Sequence, residues 1–168
     1  MSEQVQTPEA VEERAGRISV LATIGLFAFL IGVLGYAYPH FLPGAPEQAV
    51  KRFLTGQQSE TWDYVELMLV GPLELKVQYV AAASHCRLTG FDPVDPFFKR
   101  LRWALGRAGD DETLRMREYY TSGSSGNTVK VEIEYALQRR GGEYFIAIDS
   151  ILGEGGVEQY LHDRGVPL

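Results

Sequence analysis

Ile18 to Tyr38, ISVLATIGLFAFLIGVLGYAY, carries no charge and is followed by Pro39. A helix of that length covers roughly 30 Å, the thickness of a bilayer's hydrocarbon core. The run is apolar on every side, which argues against a helix of a soluble core, where only one stripe is apolar. It predicts a transmembrane helix over 18–38, a cytoplasmic polar tail over 1–17, a linker over 39–45 and an extracytoplasmic domain over 46–168. A cleaved signal peptide is the rival reading, because Gly35-Tyr36-Ala37 fits a small-x-small cleavage site. Against it, the run exceeds a usual signal core and the segment before it is long and acidic.

Arg14 and Arg17 stand at one edge of the run, whereas the other flank has no Lys or Arg until Lys51. Basic residues close to a span stay in the cytoplasm, so the N-terminus is expected inside and the domain outside, at a bacterial inner membrane. Tyr36 and Tyr38 suit the outer interface. Ala28 and Gly32 form a small-xxx-small pair, with Gly25 close to that face, and small residues let helices approach closely in lipid.

The net charge of -6 argues against a nucleic-acid surface, which needs clustered cations. The one cysteine, Cys86, excludes an intramolecular disulfide, and it lies far from the apolar run, which excludes a lipid-modified cysteine there. The tail before the run lacks aromatic residues and cannot fold alone.

Within the domain, Pro46 and Glu47 suit a first helical turn, and Ala49, Val50, Phe53 and Leu54 make one stripe. Gly56 ends that helix, and a second carries Trp62, Val65, Met68 and Leu69 up to Gly71-Pro72. From Leu73 to Cys86 the pattern is divided: Leu73, Leu75, Val77 and Tyr79 alternate as in a strand, while Ala81 to Ala83 favour a helix. The reading adopted is a strand beginning near Leu73. Asp95-Pro96 opens a helix with Phe97, Phe98, Leu101, Ala104, Leu105 and Ala108 on one face. Lys99, Arg100, Trp103 and Arg107 fall on the other. Thr128 to Leu137 alternates strictly, preceded by a strand over Thr113 to Thr121 and followed, after the short loop at Arg140-Gly141-Gly142, by one over Glu143 to Leu152. This is an antiparallel meander with one wet face, and Val157, Tyr160 and Leu161 suggest a closing helical turn or two.

The opening PEQAVKRFLTG with ETWDYVELM, and the closing TVKVEIEYALQRRGGEYFIAIDSIL, give an order of elements that resembles the nuclear transport factor 2-like superfamily. The resemblance covers most of Pro46 to Leu152 and is one of layout. It implies an α+β fold, a cone of helices packed on a curved antiparallel sheet. Bitopic members of that superfamily include the scaffold component of type IV secretion systems and proteins associated with mammalian-cell-entry lipid transporters. Both act through protein contacts, although a fold alone does not decide function.

Catalytic relatives such as ketosteroid isomerase hold an Asp base in the mouth of the cone, which here points to Asp149 with Tyr135 and Tyr144 as neighbours. Asp149 is expected on the strand face opposite Tyr144, Ile146 and Ile148, where solvation is the simpler account. His85 and Cys86 are adjacent in sequence and so project to different sides, which argues against a thiol dyad. Histidines at 40, 85 and 162 with the single cysteine show no metal-ligand spacing, and no Gly-rich phosphate loop opens a helix. No catalytic residue, metal or cofactor is therefore expected. Lys99, Arg100, Trp103 and Arg107 are the expected partner surface, since Trp and Arg concentrate at binding hot spots; the opposing account folds Trp103 beneath a loop or the sheet edge, stacked on a cation.

The expected function is that of a non-enzymatic, membrane-anchored accessory or scaffold subunit of an envelope complex, with lipid and other subunits as partners. The alternative is a tethered small-ligand-binding or isomerase-like domain using the mouth of the cone.

Overall fold

The computed structural model describes residues 22–33, 44–122 and 126–166. The chain divides into two units, Met1–Phe41 and Leu42–Leu168. In the first, residues 22–33 form helix α1, every residue of it exposed. Arg14, Arg17 and the two ends of the 18–38 run lie outside the described residues. Among the described residues, no helix is long and apolar enough to cross a membrane.

The second unit is α+β. Its helices are α2 (Ala45–Gln58), α3 (Trp62–Leu67), α4 (Leu73–Ala83), α5 (Phe97–Ala104), α6 (Ile148–Leu152) and α7 (Gly156–Asp163). Strands β1 (Leu69–Val70), β2 (Arg87–Pro93), β3 (Asp111–Thr121), β4 (Thr128–Arg140) and β5 (Glu143–Ala147) form one five-stranded sheet in the order β1-β5-β4-β3-β2. The expected antiparallel sheet is in fact mixed, because β1 lies parallel to β5 with Leu69 opposite Ile146. The meander follows the sequence alternation: β3 and β4 pair from Asp111↔Gln138 to Thr121↔Thr128, setting Leu114 beside Tyr135 and Met116 beside Ile133. Gly141 and Gly142 join β4 to β5 with φ of 59° and 91°. Two positive φ values in a two-residue loop match the right-handed twist of a hairpin, which is why glycines stand there.

Helix α2 lays Val50, Phe53 and Leu54, each fully buried, into the core. The strand expected from Leu73 is instead α4. Tyr79, Ala82 and Ala83 are buried and Leu75 packs against the core, a helical i, i+4, i+7, i+8 stripe. Leu73 and Val77, whose alternation suggested a strand, are 67% and 53% exposed. Burial thus follows the helical phase, and of the alanines that favour a helix Ala82 and Ala83 are covered while Ala81 faces out.

The last strand is also shorter than its alternation predicts. It stops at Ala147, and Ile148–Leu152 turn into α6, burying Ile148, Ile151 and Leu152 at helical spacing. Ser150 makes this turn possible. Its hydroxyl accepts the Ala136 N–H of β4 at 3.0 Å and donates to the Ala147 carbonyl at 2.7 Å, so a side chain replaces the ladder partner that a longer β5 would supply.

The domain opens at Gly44, where a Cβ would lie 2.4 Å from Trp103 Cβ and 2.5 Å from the Trp103 carbonyl carbon of α5. That obstacle is helix backbone and cannot move aside. Gly44→Ala is therefore expected to destabilise the domain by about 1–3 kcal/mol, as overpacking does, read from the urea midpoint.

Candidate functional site

Strand β3 turns Leu114, Met116, Glu118 and Tyr120 into the core. Glu118 is fully buried. The Tyr120 hydroxyl donates to its Oε2 at 2.5 Å, and the Tyr135 hydroxyl from β4 donates to its Oε1. Arg164, just past α7, supplies the opposing charge, with Nη2 3.4 Å from Glu118 Oε2. Its Nη1 donates to the Tyr160 carbonyl at 3.0 Å, and its guanidinium lies 3.6 Å from the Tyr160 ring centroid and 4.9 Å from that of Tyr120. Tyr79 of α4 stacks on Phe53 at 6.0 Å, meets Tyr160 edge-on at 5.2 Å and accepts a hydrogen bond from Gln57 of α2. One buried polar cluster thus ties α2, α4, the sheet and the C-terminal segment together.

A buried carboxylate is costly unless it is paired and hydrogen-bonded, and Glu118 is both. The arrangement consumes its own chemistry: both carboxylate oxygens are engaged, and the surrounding phenols are packed ring to ring. Burial, reinforced by neighbouring phenols and Glu118, raises Tyr79, Tyr120 and Tyr135 well above the ordinary phenol range, and burial pushes Tyr160 up to about 12. For a group raised in the folded state, the associated stability is present below the unfolded pKa and is lost as pH climbs through the folded one. The domain should therefore lose stability above about pH 10, the ordinary tyrosine value. In a spectrophotometric titration, the phenolate absorbance of these tyrosines should rise together with loss of near-ultraviolet dichroism.

A polar cleft of about 590 Å³ lies at the C-terminal ends of α2 and α4, lined by Gln57, Trp62, Ser84, His85, Cys86 and Leu88 among others. Cys86 is half-buried, and its thiol donates to the Ala82 carbonyl at 3.6 Å rather than meeting His85, which is exposed. Burial pushes that thiol up to about 11, so it is not an activated nucleophile. Alkylation of Cys86 at neutral pH should accordingly be slow and should accelerate as the solution is made alkaline, measured by intact mass.

Asp149 is exposed in the first turn of α6 rather than on a strand. Its two expected neighbours are engaged elsewhere, Tyr135 with Glu118 and Tyr144 through a hydrogen bond to the Gly109 carbonyl. Among the described residues, no group of His, Cys, Asp and Glu could hold a metal ion.

The expected partner face of α5 is turned the other way. Trp103 is 1% exposed and Arg100 9%. Arg100 makes a bidentate pair with the fully buried Glu47 of α2, Nε to Oε2 and Nη2 to Oε1, both 3.0 Å. Lys99 reaches Asp95 at 3.0 Å and covers the Trp103 ring at 5.1 Å. Arg107 alone of the four expected residues is exposed. Arg102 binds Glu112 at 2.6 Å, and Asp95 also accepts the Arg115 N–H of β3 at 2.7 Å. Carboxylates on α2, β3 and the turn before α5 thus pair with its cations, drawing Arg100 into the interior, and the helix wheel alone cannot see them. Half of the stripe expected to be buried is outside instead: Phe98 is 79% exposed, Leu105 57% and Phe97 36%, while Leu101 and Ala104 are half-buried and Ala108 packs against the core.

Gly25, Ala28 and Gly32 lie on α1 and are exposed, with open space where a Cβ would stand at both glycines. Glu118 and Arg164 had no place among the expected site residues. One signal in the sequence marks the first, a carboxylate in phase with Leu114, Met116 and Tyr120 on the apolar side of a strand. Nothing local marks Arg164, whose role depends on where the C-terminal turn docks. No protein-family model matches this chain, and no curated protein or solved structure matches it at a significant level.

Proposed function

We propose that this chain is a non-enzymatic, membrane-anchored accessory or scaffold subunit of a bacterial envelope complex. Residues 18–38 would cross the inner membrane with the N-terminus cytoplasmic, as the Arg14 and Arg17 bias favours. Gly25, Ala28 and Gly32 would offer a packing face to a partner helix.

The observation that carries the reading is the state of the domain's interior. Phe53, Tyr79, Tyr120 and Tyr135 fill it at 1% exposure or less, and the buried Glu118 carboxylate among them is held by two phenols and an arginine. What the domain offers outward is apolar surface, including Leu67 and Leu73 at 73% and 67% exposure. Contact rather than turnover suits such a domain. Gentle detergent extraction followed by native mass measurement tests it. A larger assembly containing this chain is expected; a strictly monomeric species without companions counts against it.

A second reading, a tethered small-ligand or isomerase-like domain, has the 590 Å³ cleft beside Cys86 in its favour. Ligand-observed NMR against a set of small polar fragments tests it. Binding abolished by Ser84→Trp, which obstructs the cleft from an exposed position, would favour that reading.

A further inference from the structure

We propose that the open edge of β4, at Lys130, Glu132 and Glu134, takes an extended segment of a partner protein as one more antiparallel strand, its side chains alternating basic and apolar. The proposal rests on the contact reading above and deepens it by naming the surface and the chemistry of the partner.

On one side β4 is paired with β3 from Gln138 to Thr128, whereas on the other β5 accompanies it only from Leu137 to Arg140. Two hydrogen bonds fix which groups point where. The Arg139 N–H donates to the Asp110 carbonyl beside β3, and the Ala136 N–H donates the opposite way, to Ser150 Oγ at 3.0 Å. Successive residues of a strand aim their N–H and C=O at opposite edges, so the odd-numbered residues of β4 bond to β3 and the even-numbered ones face the other edge. Ser150 takes the Ala136 N–H there. Beyond it, nothing among the described residues takes the N–H and C=O groups of Glu134, Glu132 and Lys130. A row of unpaired backbone groups is a template for another strand. The stretch is about 13 Å long, enough to pair with about five residues.

There is also room beside this edge. The segment that carries α6 and α7 leaves a groove of about 300 Å³ there, lined by Val131 and Ile133 of β4 and by Ile151, Leu152 and Tyr160. Ile133 and Tyr135 turn into the domain, while Lys130, Glu132 and Glu134 are exposed on the opposite face of the sheet. In an added antiparallel strand, residues bonded to Glu132 and Glu134 share that exposed face, and the residues between them turn toward the groove. Apolar side chains suit the second set.

Charge selects the first set. Glu132, Glu134, Glu154 and Asp163, all exposed, line the groove. Arg117 and Lys130 answer Glu132, at 2.8 and 3.9 Å. Among the described residues, no Lys or Arg lies within ion-pair reach of Glu134, Glu154 or Asp163, and the Arg164 guanidinium is buried against Glu118. Opposite charges across two strands stabilise the pair and like charges destabilise it, so lysine or arginine fits the exposed positions of the incoming strand. A second β4 edge, antiparallel and centred on this stretch, would set Glu132 against its own copy.

The test is amide hydrogen exchange, followed by NMR on the full chain in detergent micelles. Without a partner, the Glu132 and Glu134 amides should exchange fast and those of Val131, Ile133 and Tyr135 slowly. Equal protection of the two sets would mean that the edge is already covered, by a second copy if protection grows with protein concentration, and overturns the proposal. The probe is a blocked heptapeptide of alternating lysine and valine. It should protect the Glu132 and Glu134 amides, and it should bind about tenfold more weakly to a chain carrying Glu134→Lys and Glu154→Lys, both at exposed positions. N-methylation of its lysine amides removes the donors that face β4 and should abolish binding, whereas N-methylation of its valine amides should spare it. Absence of protection by the parent peptide, unchanged binding to the doubly substituted chain, or the same behaviour of the two methylated peptides overturns strand addition. If the chain nevertheless runs in a larger assembly by native mass, the contact reading stands and only this surface is lost. A solitary monomer by native mass overturns the contact reading, and this proposal with it.

Discussion

Arg164→Met is expected to lower the domain's unfolding free energy by about 3–5 kcal/mol, the range seen when one partner of a buried ion pair is removed. The substitution keeps most of the side chain's volume, so the loss reports charge rather than a cavity. It leaves Glu118, fully buried on β3, with only the hydroxyls of Tyr120 and Tyr135 to support its charge. It also frees the C-terminal turn, which is otherwise held by the Arg164–Tyr160 carbonyl bond and by Ser122 Oγ donating to the Gly165 carbonyl at 3.2 Å. Adding Glu118→Gln in the same chain should recover much of the loss, because a neutral amide needs no counter-charge and can still accept from one phenol. Urea midpoints of the two single variants and the double variant give the coupling directly. A double variant no more stable than Arg164→Met would mean that the arginine acts through packing on the Tyr160 and Tyr120 rings.

Trp103→Ala is expected to cost about 3–5 kcal/mol, as truncation of a large buried aromatic does, whereas Phe98→Ala on the same helix should stay within about 0.5 kcal/mol. A helix wheel read from sequence predicts the reverse. Trp103 is 1% exposed, lies under Lys99 and has Gly44 against its Cβ, while Phe98 is 79% exposed. Comparing the two variants by chemical denaturation therefore tests the orientation of α5. A neutral Trp103→Ala would turn the helix back over and remove the exposed phenylalanine face.

The parts of the fold that were legible in sequence share a physical cause: their signals are local. The alternation through Thr128 to Leu137 becomes β4 because a strand with one covered face must repeat every second residue. Gly141-Gly142 becomes a tight hairpin because that turn needs two positive φ values. The stripe Val50, Phe53 and Leu54 becomes the buried side of α2 for the same kind of reason. Segments that carry two periodicities were harder. Leu73 to Ala83 contains a strand-like alternation and a helical stripe together, and only the position of the core decided between them. At Ala147 the strand gives way to a helix because Ser150 offers Ala136 a substitute acceptor, a compensation that no pattern of hydrophobicity records.

The candidate site was less legible still. The cationic face of α5 looked like a partner surface because its counter-charges, Glu47 and Glu112, are distant in sequence or on another element. The interior cluster was missed because Glu118 and Arg164 are separated by 46 residues along the chain.

By itself the sequence determined that one uncharged run of bilayer length precedes an α+β domain whose meander, first helix and turns follow from local periodicity and glycine geometry. The tertiary structure alone decided which side of α5 faces inward, that the sheet is mixed, and that the buried Glu118 carboxylate is closed off by two phenols and an arginine. The physical reason is that periodicity specifies that a face will be covered, but not by what. A cation turns inward or outward according to whether a carboxylate waits for it, and only the folded chain brings that carboxylate into place.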